Sequence, residues 1–183
     1  MPVSIIVVTG ASGAGKTAAV SSLEARELPG VQCFYFDSIG VPTAQAMDRD
    51  HGGPEQWQAW ATHQWLDRLA ALGSSVCVAV LDAQTRPSTV FASPGAGRSW
   101  SGNVVLFDCS SEVRAARLRW LRGQPELVTA RMDSWAAYLR GQADALGLPI
   151  VDTTELTIAE ATDHLQALVQ RLDNSKRPQP NER

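Results

Sequence analysis

VVTGASGAGKTAAV, residues 7–20, sets a glycine-rich turn between an apolar, β-branched run and a stretch of helix formers. Gly10, Gly15, Lys16 and Thr17 match G-x-x-x-x-G-K-[ST], the P-loop pattern, and its spacing has a physical reason. Glycines let the backbone curl until successive N–H groups point into one concavity. The helix that follows adds the positive end of its dipole. Gly10, Ala11, Ser12, Gly13, Ala14, Gly15, Lys16, Thr17 and Ala18 are therefore expected to cradle nucleotide phosphates. Lys16 is expected on the β and γ phosphates, and the Thr17 hydroxyl on Mg²⁺.

Outward from that loop, apolar runs alternate with helical patterns. SIIVVTG (4–10), VQCFYFD (31–37), SVCVAVLD (75–82), NVVLFD (103–108) and LPIVDTT (148–154) read as strands. KTAAVSSLEAR (16–26), PEQWQAWATHQWLDRLAAL (54–72), SEVRAARLRWLRG (111–123), ELVTARMDSWAAYLRGQADALG (126–147) and TIAEATDHLQALVQRL (157–172) read as helices. The last opens on a Thr157/Glu160 capping box. In the third-strand-preceding helix, Trp57, Trp60, Ala61, Trp65 and Leu69 fall near one face. This alternation implies a parallel sheet covered on both faces, with ligands at the carboxyl ends of the strands. The first four strands end in Thr9, Asp37, Asp82 and Asp108. Residues 1–172 are expected to form one domain, and the apolar-free tail DNSKRPQPNER (173–183) to be disordered.

The whole-chain quantities narrow the class. The chain has 183 residues and a formal net charge of -3, a balance unlike that of a general nucleic-acid binder. It has no apolar run long enough to span a membrane and no basic region ahead of its first apolar stretch, so the cytoplasm is expected. Cys33, Cys77 and Cys109 lie in or beside separate apolar segments without CxxC spacing and are expected to be buried, reduced thiols. No NKxD-type guanine motif is present, and after the third strand Asp82 stands alone rather than in an acidic pair. A small kinase fits these features better than a GTPase or an oligomeric ATPase.

On these residues the sequence resembles the nucleoside monophosphate kinase-like group of P-loop kinases, which includes adenylate, gluconate, shikimate and adenylylsulfate kinases and chloramphenicol phosphotransferase. GASGAGKT is similar to the loops of gluconate and adenylylsulfate kinases, and LDAQTRP (81–87) to the adenylate kinase LDGFPRT, with Gln84 and Thr85 departing from it. The resemblance implies a three-layer α/β fold with a five-stranded parallel sheet ordered 2-3-1-4-5 and a small lid. It implies ATP and Mg²⁺ as cofactors, with Thr17 and Asp82 serving the metal. It also implies that Arg86 neutralises a transferring phosphoryl group or the acceptor, and that a lid arginine stacks on adenine. Arg117 is the candidate for adenine, Arg122 and Arg131 for the phosphates. Three-residue spacing sets Arg114 beside Arg117 and Arg119 beside Arg122 on a different face.

Asp37 bears on the acceptor. A hydroxyl must lose a proton as it attacks the γ-phosphoryl group, and a nearby carboxylate can take it, whereas a phosphate acceptor needs no base. Asp37 therefore favours a hydroxyl, unless it only caps the DSIG turn. The expected activity is transfer from ATP to a hydroxyl of a small molecule (nucleoside, sugar, antibiotic or other metabolite) by a monomer or homodimer. The competing readings are a nucleoside monophosphate kinase and an ATP-binding regulator acting through a protein partner.

Overall fold

Every residue of the first strand is buried, and that fixes its place at the centre of the sheet. The computed structural model describes residues 2–93 and 101–174. Strands β1 (Ser4–Thr9), β2 (Val31–Tyr35), β3 (Val78–Asp82), β4 (Ser101–Asp108) and β5 (Ile150–Asp152) form one parallel sheet in the order 2-3-1-4-5. β1 pairs with β3 on one side and β4 on the other, in registers running from Ser4↔Val78 and Ser4↔Ser101. The sheet and its order are those the sequence predicts.

Seven helices accompany the strands among the described residues: α1 (Lys16–Glu24), α2 (Ala44–His51), α3 (Pro54–Ala70), α4 (Pro87–Phe91), α5 (Ser111–Ala116), α6 (Ala130–Leu146) and α7 (Ile158–Asn174). Pleating sends alternate β1 side chains to opposite layers. Ile5 and Val7 pack with Trp57, Trp65 and Leu69 of α3, while Ile6 and Val8 pack with Val20 and Leu23 of α1 and Leu165 of α7. Leu106 of β4 extends the first layer against Leu139 and Ala143 of α6. Among the described residues no helix is long and apolar enough to cross a membrane.

Local expectations are corrected in four places. β2 stops at Tyr35, because its partner β3 ends at Asp82 and Tyr35↔Asp82 is the last register pair. Phe36 then turns inward, its carbonyl accepting from Trp65 Nε1 at 3.0 Å, and Phe36–Ile39 form a 3₁₀ turn. Asp37 thus sits on that turn rather than at the strand end. Between β2 and α3, where the sequence reading places no helix, the chain forms α2, and Gly52 and Gly53 make a two-residue junction to α3. Trp60 is 44% exposed and rests on the His51 ring at 4.8 Å, outside the buried Trp57–Ala61–Trp65–Leu69 row. Cys77 is exposed, unlike Cys33 and Cys109, and none of the three forms a disulfide among the described residues.

The Thr157/Glu160 capping box forms as read, with the Glu160 carboxylate accepting from Thr157 N at 2.8 Å. α7 runs to Asn174, two residues past the expected domain end, and the rest of the proposed tail lies outside the described residues.

Gly10 joins β1 to the following loop with φ +152°, and a Cβ there would clash with the Phe107 carbonyl oxygen. Neither partner is a flexible side-chain end, so the clash has no cheap relief. Gly10→Ala is expected to lower stability by at least about 3 kcal/mol, read as a fall in the urea midpoint. An unchanged midpoint would contradict this packing.

Candidate active site

The loop from Gly10 to Lys16 leaves the carboxyl end of β1 and turns into α1 through Gly13 and Gly15, with φ of +85° and +89°. Ala11 and Ala14 are buried beneath it, Ser12 reaches Gln84 Oε1 at 3.4 Å, and no side chain caps α1. Lys16 is only 7% exposed and donates to the Ala11 carbonyl at 3.2 Å. Burial holds its pKa below the usual lysine value; Arg122 adds to that lowering, while Asp82 and Asp37 oppose it. One buried ammonium therefore senses three charged groups brought from three separate elements.

Asp82, at the end of β3, accepts from the Thr17 hydroxyl at 2.5 Å. These two hard oxygen donors suit Mg²⁺, which takes few protein ligands and completes its shell with phosphate and water oxygens. Among the described residues no cluster of three or more His, Cys, Asp or Glu is arranged to hold a metal alone, so such an ion would depend on ligand oxygens as well.

Beside the loop opens a cavity of about 420 Å³ lined by Gly13, Gly15, Lys16, Thr17 and Ala18, by Arg117, Leu121 and Arg122, and by Thr153, Leu156, Thr157, Ile158 and Ala161. The end of the cavity at the loop is polar and its far end, at Leu121, Leu156, Ile158 and Ala161, is aliphatic. Arg117 is anchored at 2.6 Å to the Thr153 carbonyl, 2.9 Å to its hydroxyl and 3.4 Å to the Gly13 carbonyl.

The arginine segment departs from the helical reading for a local reason. Residues Arg117–Leu121 form a π-helical turn, and Arg122 N donates to Arg117 O at 3.0 Å. A five-residue hydrogen-bonded turn returns Arg122 over Arg117, so both line the cavity, and Arg119 remains exposed. Arg114 is buried beneath Gly13, donating to the Cys109 carbonyl and pairing with Asp133 at 2.5 Å. Arg131 is exposed on the first turn of α6 and is not brought to the cavity.

On the other side of the loop, Asp37 is exposed, and its carboxylate makes no hydrogen bond or ion pair among the described residues. The turn is closed by others: Ser38 Oγ donates to the Tyr35 carbonyl, and Gly40 N to the Asp37 carbonyl. Side-chain capping therefore does not explain Asp37. Arg86 is held rather than free, donating to Gln58 Oε1 at 2.8 Å and pairing with Glu55 at 3.3 Å. Its guanidinium also lies 5.1 Å from the Trp135 ring centroid. Asp108 turns away from the site toward Arg140 at 3.4 Å.

The sequence reading missed Leu121, Thr153, Leu156, Thr157, Ile158 and Ala161 of the cavity wall. One signal was available for Thr153, because LPIVDTT places it just past the carboxyl end of a parallel strand.

No protein-family model matches the chain, and no curated protein matches it. Solved structures do. A shikimate kinase from Acinetobacter baumannii in complex with shikimate superposes with a TM-score of 0.54 at 16% identity, covering 96% of each chain. The tunicamycin resistance protein of Deinococcus radiodurans gives 0.63 at 22%, over 91% of this chain and 95% of that one. Thymidylate kinase from Candida albicans gives 0.65 at 13%, over 96% and 94%. The chain has a P-loop kinase fold.

Proposed function

We propose that the protein is an ATP-dependent phosphotransferase that moves the γ-phosphoryl group of ATP to a hydroxyl of a small molecule. The observation that carries this reading is the charge arrangement around Lys16. Asp82, Arg122 and Asp37 all act by their charge on one buried ammonium, and in this reading they serve the metal, the transferring phosphoryl group and the acceptor in turn. In this reading the cytoplasm is its compartment, and its partner is a small molecule rather than nucleic acid or a membrane.

The chemistry follows from those positions. The loop amides and Lys16 hold the β and γ phosphates, and the aliphatic end of the cavity takes the base, with Arg117 against it. Thr17 and Asp82 would hold Mg²⁺, which would supply charge neutralisation on the phosphates. Asp37 accepts the proton of the attacking hydroxyl as its oxygen bonds to the γ-phosphorus, and the bond to the β–γ bridging oxygen breaks to release ADP. Lys16 and Arg122 stabilise the charge that shifts onto that bridging oxygen. An acceptor phosphate finds less support, because Arg86, the arginine matched to that role, is already engaged by Glu55 and Gln58.

The test is a panel of hydroxyl compounds and nucleoside monophosphates offered with γ-labelled ATP. Label is expected on a hydroxyl compound. Transfer only to monophosphates would establish the other kinase reading. Negligible transfer, with a stable protein complex, would establish a regulator instead.

Two lid variants separate binding from catalysis. Arg117→Ala is expected to raise the KM for ATP about tenfold with kcat little changed. Arg122→Ala is expected to lower kcat by about ten- to a hundredfold with a smaller effect on KM. Equal and negligible effects in steady-state kinetics would reduce both residues to a solvated surface.

A further inference from the structure

We infer that Thr153 is a positioning residue that sets the spacing between the base side and the phosphate side of the nucleotide site, an inference that rests on the nucleotide reading of the cavity given above. Thr153 follows β5 and is 2% exposed. Its hydroxyl lies 2.9 Å from the Ala14 carbonyl, 3.2 Å from the Asp108 carbonyl and 2.9 Å from Arg117 Nη1.

A hydroxyl has one proton to give and lone pairs to receive with. Arg117 can only donate, so the Thr153 oxygen is its acceptor. The single proton then goes to a carbonyl. Asp108 O already receives Thr153 N at 2.8 Å, whereas Ala14 O lies closer to the hydroxyl. The proton therefore belongs to Ala14, inside the phosphate loop. One atom thus ties the loop to the guanidinium that faces the base.

The tie has few substitutes. None of the ion pairs among the described residues includes Arg117, whose orientation rests on the two Thr153 oxygens and a longer contact to Gly13 O. Burial leaves little room for water to replace the hydroxyl. Removing it frees Arg117 on one side and leaves a loop carbonyl without its donor on the other. A ligand that spans both sides feels both changes. A ligand confined to the loop feels only the second.

The experiment measures Kd for Mg²⁺-ATP and for tripolyphosphate by titration calorimetry, with Thr153→Val placed in the wild-type and Arg117→Ala backgrounds. Thr153→Val is expected to weaken ATP about tenfold and tripolyphosphate less than about threefold. In the Arg117→Ala background its effect on ATP is expected to shrink to less than about threefold, because the coupled partner is gone. Thr153→Ser restores the hydroxyl and is expected to recover most of the lost affinity.

Equal losses for both ligands, an undiminished loss in the Arg117→Ala background, failure of Thr153→Ser to recover affinity, or no loss at all would each overturn the inference. Failure of the wild type to bind either ligand would overturn the nucleotide reading on which it stands. Thermal unfolding is recorded throughout, and Thr153→Ala replaces Thr153→Val under the same criteria if the latter does not fold.

Discussion

Lys16→Met is expected to lower kcat by about a hundred- to a thousandfold while the protein stays at least as stable as the parent. The two halves of that result have one cause. Lys16 is 7% exposed, and desolvation is the main reason its pKa lies below the ordinary lysine value. A folded pKa below the unfolded one means that the charged form is disfavoured by folding. That penalty is full below the folded pKa and fades as pH rises through the folded and then the unfolded pKa. Methionine keeps the apolar stem and removes the penalty. Ala11 O, which loses the ammonium, still accepts from Ala14 N at 3.2 Å. During transfer, however, the γ-phosphoryl group loses the buried ammonium of the loop as a counter-charge. Turnover and thermal unfolding at neutral pH, with a second unfolding series toward alkaline pH, check both parts. The stability advantage of the variant should shrink as pH rises. Near-normal turnover would remove Lys16 from the phosphate site.

Much of this arrangement was legible because it rests on short-range patterns. The sheet could be read from β-branched runs that end in glycine or aspartate, and β1 and β3 are buried on both faces as such runs require. The loop was legible because its glycine, lysine and threonine spacing reflects backbone geometry that few other turns share. Asp82 followed from lying at the end of a strand beside β1, and its contact with Thr17 joins residues 65 positions apart.

The illegible parts depend on tertiary context. The wide turn at Arg117–Leu121 has no residue signature; it changes which arginines share a face without altering their spacing in the chain. A helical wheel therefore pairs Arg119 with Arg122, whereas the cavity receives Arg117 and Arg122. Arg86 looked available for phosphate because its partners come from elsewhere: Glu55 and Gln58 on α3 and the Trp135 ring on α6. The cavity wall of Leu156, Ile158 and Ala161 carries no chemical signal, since aliphatic residues serve a binding wall and a core equally well. Asp37 lay one turn beyond the true end of β2, because strand length was set by the register of its neighbour rather than by its own apolar run.

Asp37→Asn is expected to lower kcat on a hydroxyl acceptor by about a hundred- to ten-thousandfold, the range typical for loss of a general base. The substitution preserves shape and removes only the charge and its proton affinity. Because the Asp37 carboxylate is exposed and the turn is held by Ser38 Oγ and the Asp37 backbone carbonyl, folding does not depend on the group removed. Stability should therefore move by less than about 0.5 kcal/mol, as for ordinary surface substitutions. ATP affinity should change little, since the loop amides and Lys16 carry that binding, although Lys16 loses one favourable charge in its surroundings. The effect depends on what the acceptor must do. A hydroxyl has to shed its proton as it bonds to phosphorus, so the variant leaves the reaction without a place for that proton. A phosphate oxygen is already ionised and attacks without one. The decisive comparison is kcat for wild type and Asp37→Asn on the identified acceptor, with KM for ATP and thermal unfolding measured on the same preparations. A loss confined to kcat in a stably folded variant assigns the base and, with it, the hydroxyl chemistry. A change of less than about threefold would leave proton removal to water and withdraw Asp37 from catalysis.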